Sequence, residues 1–324
     1  MSLRAWSCFA AVSVLWGIPY LFIKLAVDDG LPPVFVAWSR LVIGAVILLA
    51  IAWRMGVLAE MRGRLRWGLL WGLTEMAIPF SLIPFGEQRV SSSLTAILIA
   101  SAPLMVALLA IRLDPAERAR GARLAGLVVG LAGVVALMGI DVAGRSEEML
   151  GAGAVLLATL CYAVGPFTLR GPLAGIDTIA VVTVAMVFGA LALTPLALAD
   201  LPAAMPSATA SASLVVLGVA CSAAALVLFA ILVAEVGGGR AIVITYVSPI
   251  VAVALGVTVL GESLGVGAVA GLLLILAGSW LATDGRLPPG LGSALRAFGR
   301  GPRARAAPRD VPDVGDARID PTVA

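Results

Sequence analysis

Histidine is absent from this chain of 324 residues. That excludes histidine-based zinc sites, serine–histidine catalytic pairs and imidazole proton relays together. Cysteine is scarce. Cys8, Cys161 and Cys221 each fall in an apolar stretch with no CxxC spacing, so neither a metal cluster nor a disulfide framework is indicated. They read as small buried hydrophobes. Lysine occurs once, as Lys24. A nucleotide-binding P-loop needs a Lys followed by Ser or Thr at the end of a glycine-rich loop, so a primary pump is disfavoured. Charged residues make up 13% of the chain, about half their usual share in soluble domains. No cofactor and no metal are expected.

What the chain has is apolar side chain: 61% of residues, with a mean hydropathy of +1.07. A water-soluble fold has no place for so much of it. Ten apolar stretches cover 5–27, 33–53, 67–86, 91–111, 122–140, 151–169, 178–199, 212–234, 241–260 and 265–282. Each is about 18–23 residues, enough to cross roughly 30 Å of hydrocarbon at 1.5 Å per residue. In lipid every backbone N–H must find a partner within its own segment, which selects helices. The expected fold is an all-α integral membrane protein of ten transmembrane helices. The first stretch is longer than a signal-peptide core and is followed by more spans, so it reads as a retained helix.

The net charge of +3 comes from arginines placed between spans and in the tail. That pattern is membrane topology rather than nucleic-acid binding. With the N-terminus cytoplasmic, Arg54, Arg62, Arg64, Arg66, Arg112, Arg118, Arg120, Arg123, Arg170, Arg240 and the tail fall inside. Arg89 and Arg145 fall outside, among Asp28, Asp29, Glu87, Asp141, Glu147, Glu148, Asp200 and Glu262. The expectation is a multi-pass protein of the cell (plasma or inner) membrane with both termini cytoplasmic. Residues 285–324, rich in Pro, Gly, Arg and Asp, cannot bury a core and are expected to be disordered.

The second half reads as a degraded copy of the first. Leu94–Ala107 (LTAILIASAPLMVA) aligns with Arg240–Val253 (RAIVITYVSPIVAV), pairing Pro103 with Pro249. Glu117–Gly133 aligns with Glu262–Gly278, pairing Glu117 with Glu262, Gly126 with Gly271 and Gly133 with Gly278. Gly44 meets Gly189 at the same offset. The units are 5–140 and 151–282, with five spans each. An odd number makes the second unit enter from the opposite side, so two inverted repeats related by a pseudo-two-fold axis in the membrane plane are expected. Such a pair can expose a shared site to one compartment at a time.

These residues resemble the drug/metabolite transporter superfamily, specifically EamA-type exporters with tandem EamA domains. The resemblance covers roughly 10–282. It rests on Trp16-Gly17, on the WSRLVIGAVILL run with Arg40, on PFSLIPFGEQRVSSSLTAILIASAPL from Pro79 to Leu104, and on LGESLGVGAVAGLLLILAG from Leu260 to Gly278. It implies an inverted five-plus-five architecture, export of a small metabolite or drug-like compound, and a cavity lined mainly by spans 1, 3, 4, 6, 8 and 9. Before the first-repeat glutamate the usual short Leu-Gly turn is replaced by Leu113-Asp114-Pro115-Ala116, one residue longer. Glu117 and Glu262 both read as helix-start or capping residues.

Ionisable groups inside a span are costly and point to function. Glu75 lies about 12–14 Å from either end of span 3, and Arg40 about 10 Å from the outer end of span 2. Lys24, near the end of span 1, can snorkel to the interface. Two readings of Arg40 and Glu75 stand: a structural ion pair, or two groups facing a cavity where they contact substrate or a proton. Without histidine, Glu75 is the candidate for proton coupling. Trp16, Tyr20 and Lys24 recur every four residues and share one face, either a cavity wall or a packing stripe. Tyr162 and Tyr246 fall on spans that line the cavity in the resemblance. Pro79, Pro103 and Pro249 are candidate kinks that either serve gating or only shape the helices. Gly68-xxx-Gly72, Gly126-xxx-Gly130 and Gly267-xxx-Gly271 present small faces for helix contact, within one chain or between two, so monomer and homodimer both stand.

The function expected is a secondary transporter, an exporter working by alternating access on a small-molecule substrate in the lipid bilayer, with proton coupling open. A facilitator, channel or lipid-handling protein without coupling is the alternative. An enzyme is disfavoured, since no buried nucleophile–base pair or paired acids occur within a span.

Overall fold

The structure is a computed structural model that describes residues 2–113, 120–237, 241 and 243–283. These belong to one compact unit, Met1–Pro289. The tail expected to be disordered and Glu117 lie outside the described residues.

Among the described residues every regular element is a helix. Eight are long and apolar enough to cross a bilayer: α1 (Leu3–Asp28), α2 (Pro33–Met55), α3 (Leu65–Glu87), α4 (Ser92–Leu113), α5 (Ala122–Val142), α6 (Ser146–Arg170), α7 (Thr178–Ala199) and α8 (Ala208–Val236). Two shorter apolar helices follow, α9 (Ile244–Val259) and α10 (Val266–Ala282). Their ends carry ordinary stop and start signals. Ser2, Ser91 and Ser207 accept hydrogen bonds from the backbone of the first turns of α1, α4 and α8. Gly56 closes α2 at φ 73°, a conformation open to glycine. Glu262 caps a helix other than its own. Its carboxylate accepts from Ser92 N (2.7 Å), Ser93 N (3.0 Å) and Ser93 Oγ (2.5 Å), tying the α9–α10 turn to the start of α4.

The spans are not regular throughout, and most of the interruptions sit just before prolines. A proline lacks the N–H that the carbonyl four residues earlier requires. α1 loosens into a turn at 16–18 before Pro19, α4 at 100–101 before Pro103, and α6 at 163–164 before Pro166. In α3 the turn preceding Pro79 opens into a π-helical turn, Gly72–Ala77. A second π-turn occupies Val219–Ala224 of α8, with no proline behind it. α9 carries Pro249 without a break in Ile244–Val259.

Two helix pairs join the halves of the chain by close, antiparallel contact. In α5 and α10, Gly126 lies against Gly278 and Leu281, and Gly133 against Gly271 and Leu274. A Cβ on Gly126 would come within 2.6 Å of Ala282 N, and one on Gly133 within 3.1 Å of Gly271 O, so only glycine permits this approach. In α2 and α7, Gly44 lies against Met186 and Gly189 against Leu41. The Trp38 indole donates to Thr194 (3.1 Å), and Thr183 Oγ1 to Leu48 O (3.4 Å), further along the same pair. Both pairs are self-complementary under the sequence alignment. Exchanging Gly126 for Gly271 and Gly133 for Gly278 turns one α5–α10 contact into the other. Exchanging Gly44 for Gly189 and Leu41 for Met186 does the same for α2–α7. Reciprocal contacts of this kind are what a two-fold relation generates. The small faces of α5 and α10 are thus used within the chain.

Candidate functional site

The interrupted helices surround a cavity of about 350 Å³. Its wall is formed by α1, α3, α4, α6, α8 and α9, with Arg40 from α2 and Thr178 and Val182 from α7. Among the described residues, α5 and α10 supply none of it. This follows from the packing: α5 and α10 spend their small faces on each other, while the helices that loosen at 16–18, 72–77, 100–101, 163–164 and 219–224 turn those segments inward.

Arg40 is buried on α2. Its Nε donates to Ser222 Oγ at 2.7 Å, and its guanidinium carbon lies 3.9 Å from the centre of the Phe80 ring. Ser222 sits in the π-turn of α8 and passes its own proton to Leu217 O (2.9 Å), so its oxygen lone pairs are left for Arg40. A charge in the membrane is tolerable when it is hydrogen-bonded and stacked in this way. The rest of the guanidinium fork borders the cavity, a suitable dock for a carboxylate or similar anion.

Glu75 projects from the π-turn of α3 onto α6. Its carboxyl lies against Gly165, where an added Cβ would stand 2.6 Å from Cδ and overlap Oε1. Oε1 is buried with no hydrogen-bond partner, as is the indole Nε1 of Trp71 one turn earlier, and both residues line the cavity. An orphan acceptor beside an orphan donor in a ligand-sized, mostly apolar cavity is a place where a bound molecule supplies the missing partners.

Arg40 and Glu75 are not paired. Among the described residues the recorded ion pairs are Lys24–Asp28, Arg89–Glu147 and Arg145–Glu148. Similar depth in the membrane does not bring them together, because Arg40 turns toward α8 and Phe80 while Glu75 turns toward α6. Trp16, Tyr20 and Tyr162 line the cavity, Trp16 with its ring 4.9 Å from that of Phe229. Pro103 and Pro249 line it too. Pro79 is buried away from it, behind the π-turn that carries Glu75. Tyr246 points elsewhere: its hydroxyl meets Thr283 Oγ1 (2.5 Å) and Ser279 O (3.2 Å) at the end of α10. Lys24 follows Trp16 and Tyr20 along α1 but lies outside the cavity, paired with Asp28 (2.9 Å) and donating to Glu87 O (2.9 Å).

Ser222, Phe80, Trp71 and Gly165 were not among the residues that sequence singled out. A serine, a phenylalanine and a glycine inside apolar helices carry no distinguishing signal, and Arg40 and Ser222 lie 182 positions apart. The one available clue was Pro79: its missing N–H faces the carbonyl of Glu75.

Known proteins support the class. The family model described as the EamA-like transporter family matches residues 4–139 and again 149–283. A protein of Streptantibioticus cattleyicolor named as a probable terminal-alkyne amino-acid exporter is 30% identical over 269 residues, 81% of this chain and 87% of its own. The inner membrane transporter YedA of Escherichia coli K12, itself named as uncharacterized, is 28% identical over 264 residues, 78% of this chain and 82% of YedA. Protein PagO of Salmonella typhimurium is 32% identical over 159 residues, so the match spans about half of each, 48% and 51%. A solved crystal structure shares the fold with a TM-score of 0.61 at 20% identity, covering 88% of this chain and 98% of the other. With both halves matched by one family model and the helices fit to span a bilayer, the chain belongs to the EamA-like transporter family and is a multi-pass inner-membrane transporter.

Proposed function

We propose that this protein is a secondary transporter that exports a small amphipathic or zwitterionic organic molecule by alternating access. The observation that carries this is the cavity: two membrane-buried ionisable groups, the basic Arg40 and the acidic Glu75, border it without pairing. An anionic end of the substrate would meet the Arg40 fork and a cationic or donor end Glu75, with Trp16, Tyr20 and Phe80 against the apolar body. The relative named as an amino-acid exporter handles, by its name, a molecule with both charges.

Alternating access is supported by the self-complementary contacts. Antiparallel packing of α5 on α10 and of α2 on α7, with Gly126, Gly133, Gly271 and Gly278 reciprocally placed, fits two five-helix units, 5–140 and 151–282, inverted about a common axis. The ten-span topology with cytoplasmic termini requires α9 and α10 to cross as well. Their 16 and 17 described residues cover about 24–26 Å at 1.5 Å each. Glu75 is the group that would take up a proton on one side and release it on the other.

The test is counterflow in proteoliposomes holding the full chain, with a panel of amino acids and amphipathic amines as probes. Acceleration of labelled uptake by unlabelled internal compound supports a carrier. Flux that rises linearly with concentration and shows no exchange indicates a pore and refutes it. Reporter fusions placing the connector near residue 145 and the C-terminus in one compartment overturn the inverted topology.

A further inference from the structure

We propose that Glu87 is a proton-binding site outside the substrate cavity, and that Lys24 is the cation that answers its ionisation. Glu87 closes α3 and is fully buried, yet neither carboxyl oxygen has a hydrogen-bond partner. The end of α3 packs closely on α6 beside it. Gly86 leaves no room for a Cβ beside Val155 and Gly151, which brings the end of α3 flush against that helix. An ionised carboxylate without donors is among the most costly groups to bury, whereas the neutral acid is far less so. The Glu87 carboxyl thus lacks the donors that its ionised form requires.

The titratable and charged groups that act on it are Tyr20, Lys24 and Asp28 of α1, Arg40 of α2 and Glu262 of the α9–α10 turn. Arg40 is held by Ser222, and Glu262 is engaged by the α4 backbone. At Gly86, the residue before Glu87, α6 presents Gly151 and Val155. Lys24 alone is free to respond. Its Nζ already donates to the Glu87 carbonyl at 2.9 Å while pairing with Asp28 at 2.9 Å. The Asp28 side chain is 56% exposed and that of Lys24 is 21% exposed, so water can take over Asp28 when Lys24 leaves it. A flexible four-carbon stem lets the ammonium move from Asp28 to the carboxylate of the residue it already touches.

The two states balance. In one, Glu87 holds its proton and Lys24 pairs with Asp28. In the other, the proton has left to water at the Asp28 end and Lys24 neutralises the Glu87 carboxylate, so no lone charge is buried in either. Lys24 lies on α1, the helix that also carries Trp16 and Tyr20 of the cavity wall.

The site needs no knowledge of the substrate, so its test stands apart from the transport reading. Infrared difference spectra of the full chain in liposomes, titrated with pH, report protonated carboxyls by their C=O stretch. The expected result is a band that disappears on alkalinisation, is missing in Glu87→Gln and persists in Glu75→Gln. In Lys24→Met the band should survive at a pH where the wild-type band has fallen about tenfold. Should Glu87→Gln fail to fold, Glu87→Asp shifts the band instead. A wild-type spectrum with no such band at any pH, or a Lys24→Met titration that overlays the wild type, overturns the proposal.

Discussion

Replacing Gly278 by alanine should destabilise the protein far more than its one added methyl suggests. The new Cβ would overlap the backbone N and Cα of Gly130 and lie 2.6 Å from Gly126 O. All three are backbone atoms of α5, so no side chain can swing aside and the helices must separate. Overpacking of this kind costs about 1–3 kcal/mol. Gly153 of α6 is the control, since nothing lies within 4 Å of its added Cβ. There alanine should stabilise by up to about 1 kcal/mol through helix propensity. The two variants should therefore differ by roughly 2–4 kcal/mol. Gly133→Ala, whose Cβ would meet Leu274 Cβ at 2.7 Å, should behave like Gly278→Ala because the two contacts exchange under the sequence alignment of the halves. Combining Gly126→Ala with Gly278→Ala should cost less than the sum, since the first substitution already parts the helices. Thermal unfolding of the purified protein in detergent reads all of these. A Gly278→Ala protein as stable as Gly153→Ala would refute the close α5–α10 contact and weaken the case for inverted units.

Glu75→Gln keeps the shape of the side chain and removes its charge. It should flatten the pH dependence of transport and lower its rate, measured as uptake into liposomes across pH; an unchanged rate and profile would remove Glu75 from the transport cycle. Arg40→Lys keeps the charge but loses the Nε bond to Ser222, about 1.5–3 kcal/mol, and weakens the stack on Phe80. The apparent KM for an anionic or zwitterionic substrate should rise about tenfold or more. Glu262→Ala strips the α4 N-terminus of its acceptor and should lower stability by about 0.5–2 kcal/mol, with Glu262→Gln intermediate, as read by thermal unfolding.

The spans were legible because hydropathy over twenty residues is a strong signal in lipid, and the repeat because Pro103/Pro249 and Gly126/Gly271 stayed in register. The orientation of side chains around each helix was not. Depth along a straight helix brought Arg40 and Glu75 close, yet rotation about the helix axis, set by packing, sends them to different neighbours. Glu87 read as a loop residue because the apolar stretch stops at 86, whereas α3 continues one residue further and Glu87 is buried. The π-turns were also hidden. In α3 the carbonyl left without a partner by Pro79 and a close neighbour, Ala185 O at 2.6 Å from where a Cβ on Gly72 would stand, together favour a wider turn; the π-turn of α8 has no such proline. Tyr246 was placed by its span, but its hydroxyl has better partners at the end of α10.

The repeat is symmetric in packing and asymmetric in charge, and the difference makes a prediction. Superposing the π-turn of α3, Gly72–Ala77, on that of α8, Val219–Ala224, sets Ser222 at the position of Glu75. The alignment of Gly44 with Gly189 sets Ala185 at the position of Arg40. Close backbone packing recurs near this junction one residue out of that register, with Gly218 against Arg40 O and Gly72 against Ala185 O. Both cavity charges thus ride on the first unit, while their counterparts in the second are small and neutral. Ser222→Asp would restore a carboxyl to the second unit about where the serine oxygen now stands, 2.7 Å from Arg40 Nε. The resulting ion pair should lock the guanidinium and take it away from substrate, without unfolding a protein that already accommodates a polar group there. Competition of anionic and zwitterionic compounds for uptake should weaken by about tenfold or more, the loss of one charged hydrogen-bonded contact, while cationic amphiphiles are spared. Ser222→Ala, which leaves Arg40 unpaired, should change competition much less. Equal loss for compounds of every charge in Ser222→Asp would mean that Arg40 serves the packing of α2 on α8 and does not meet substrate.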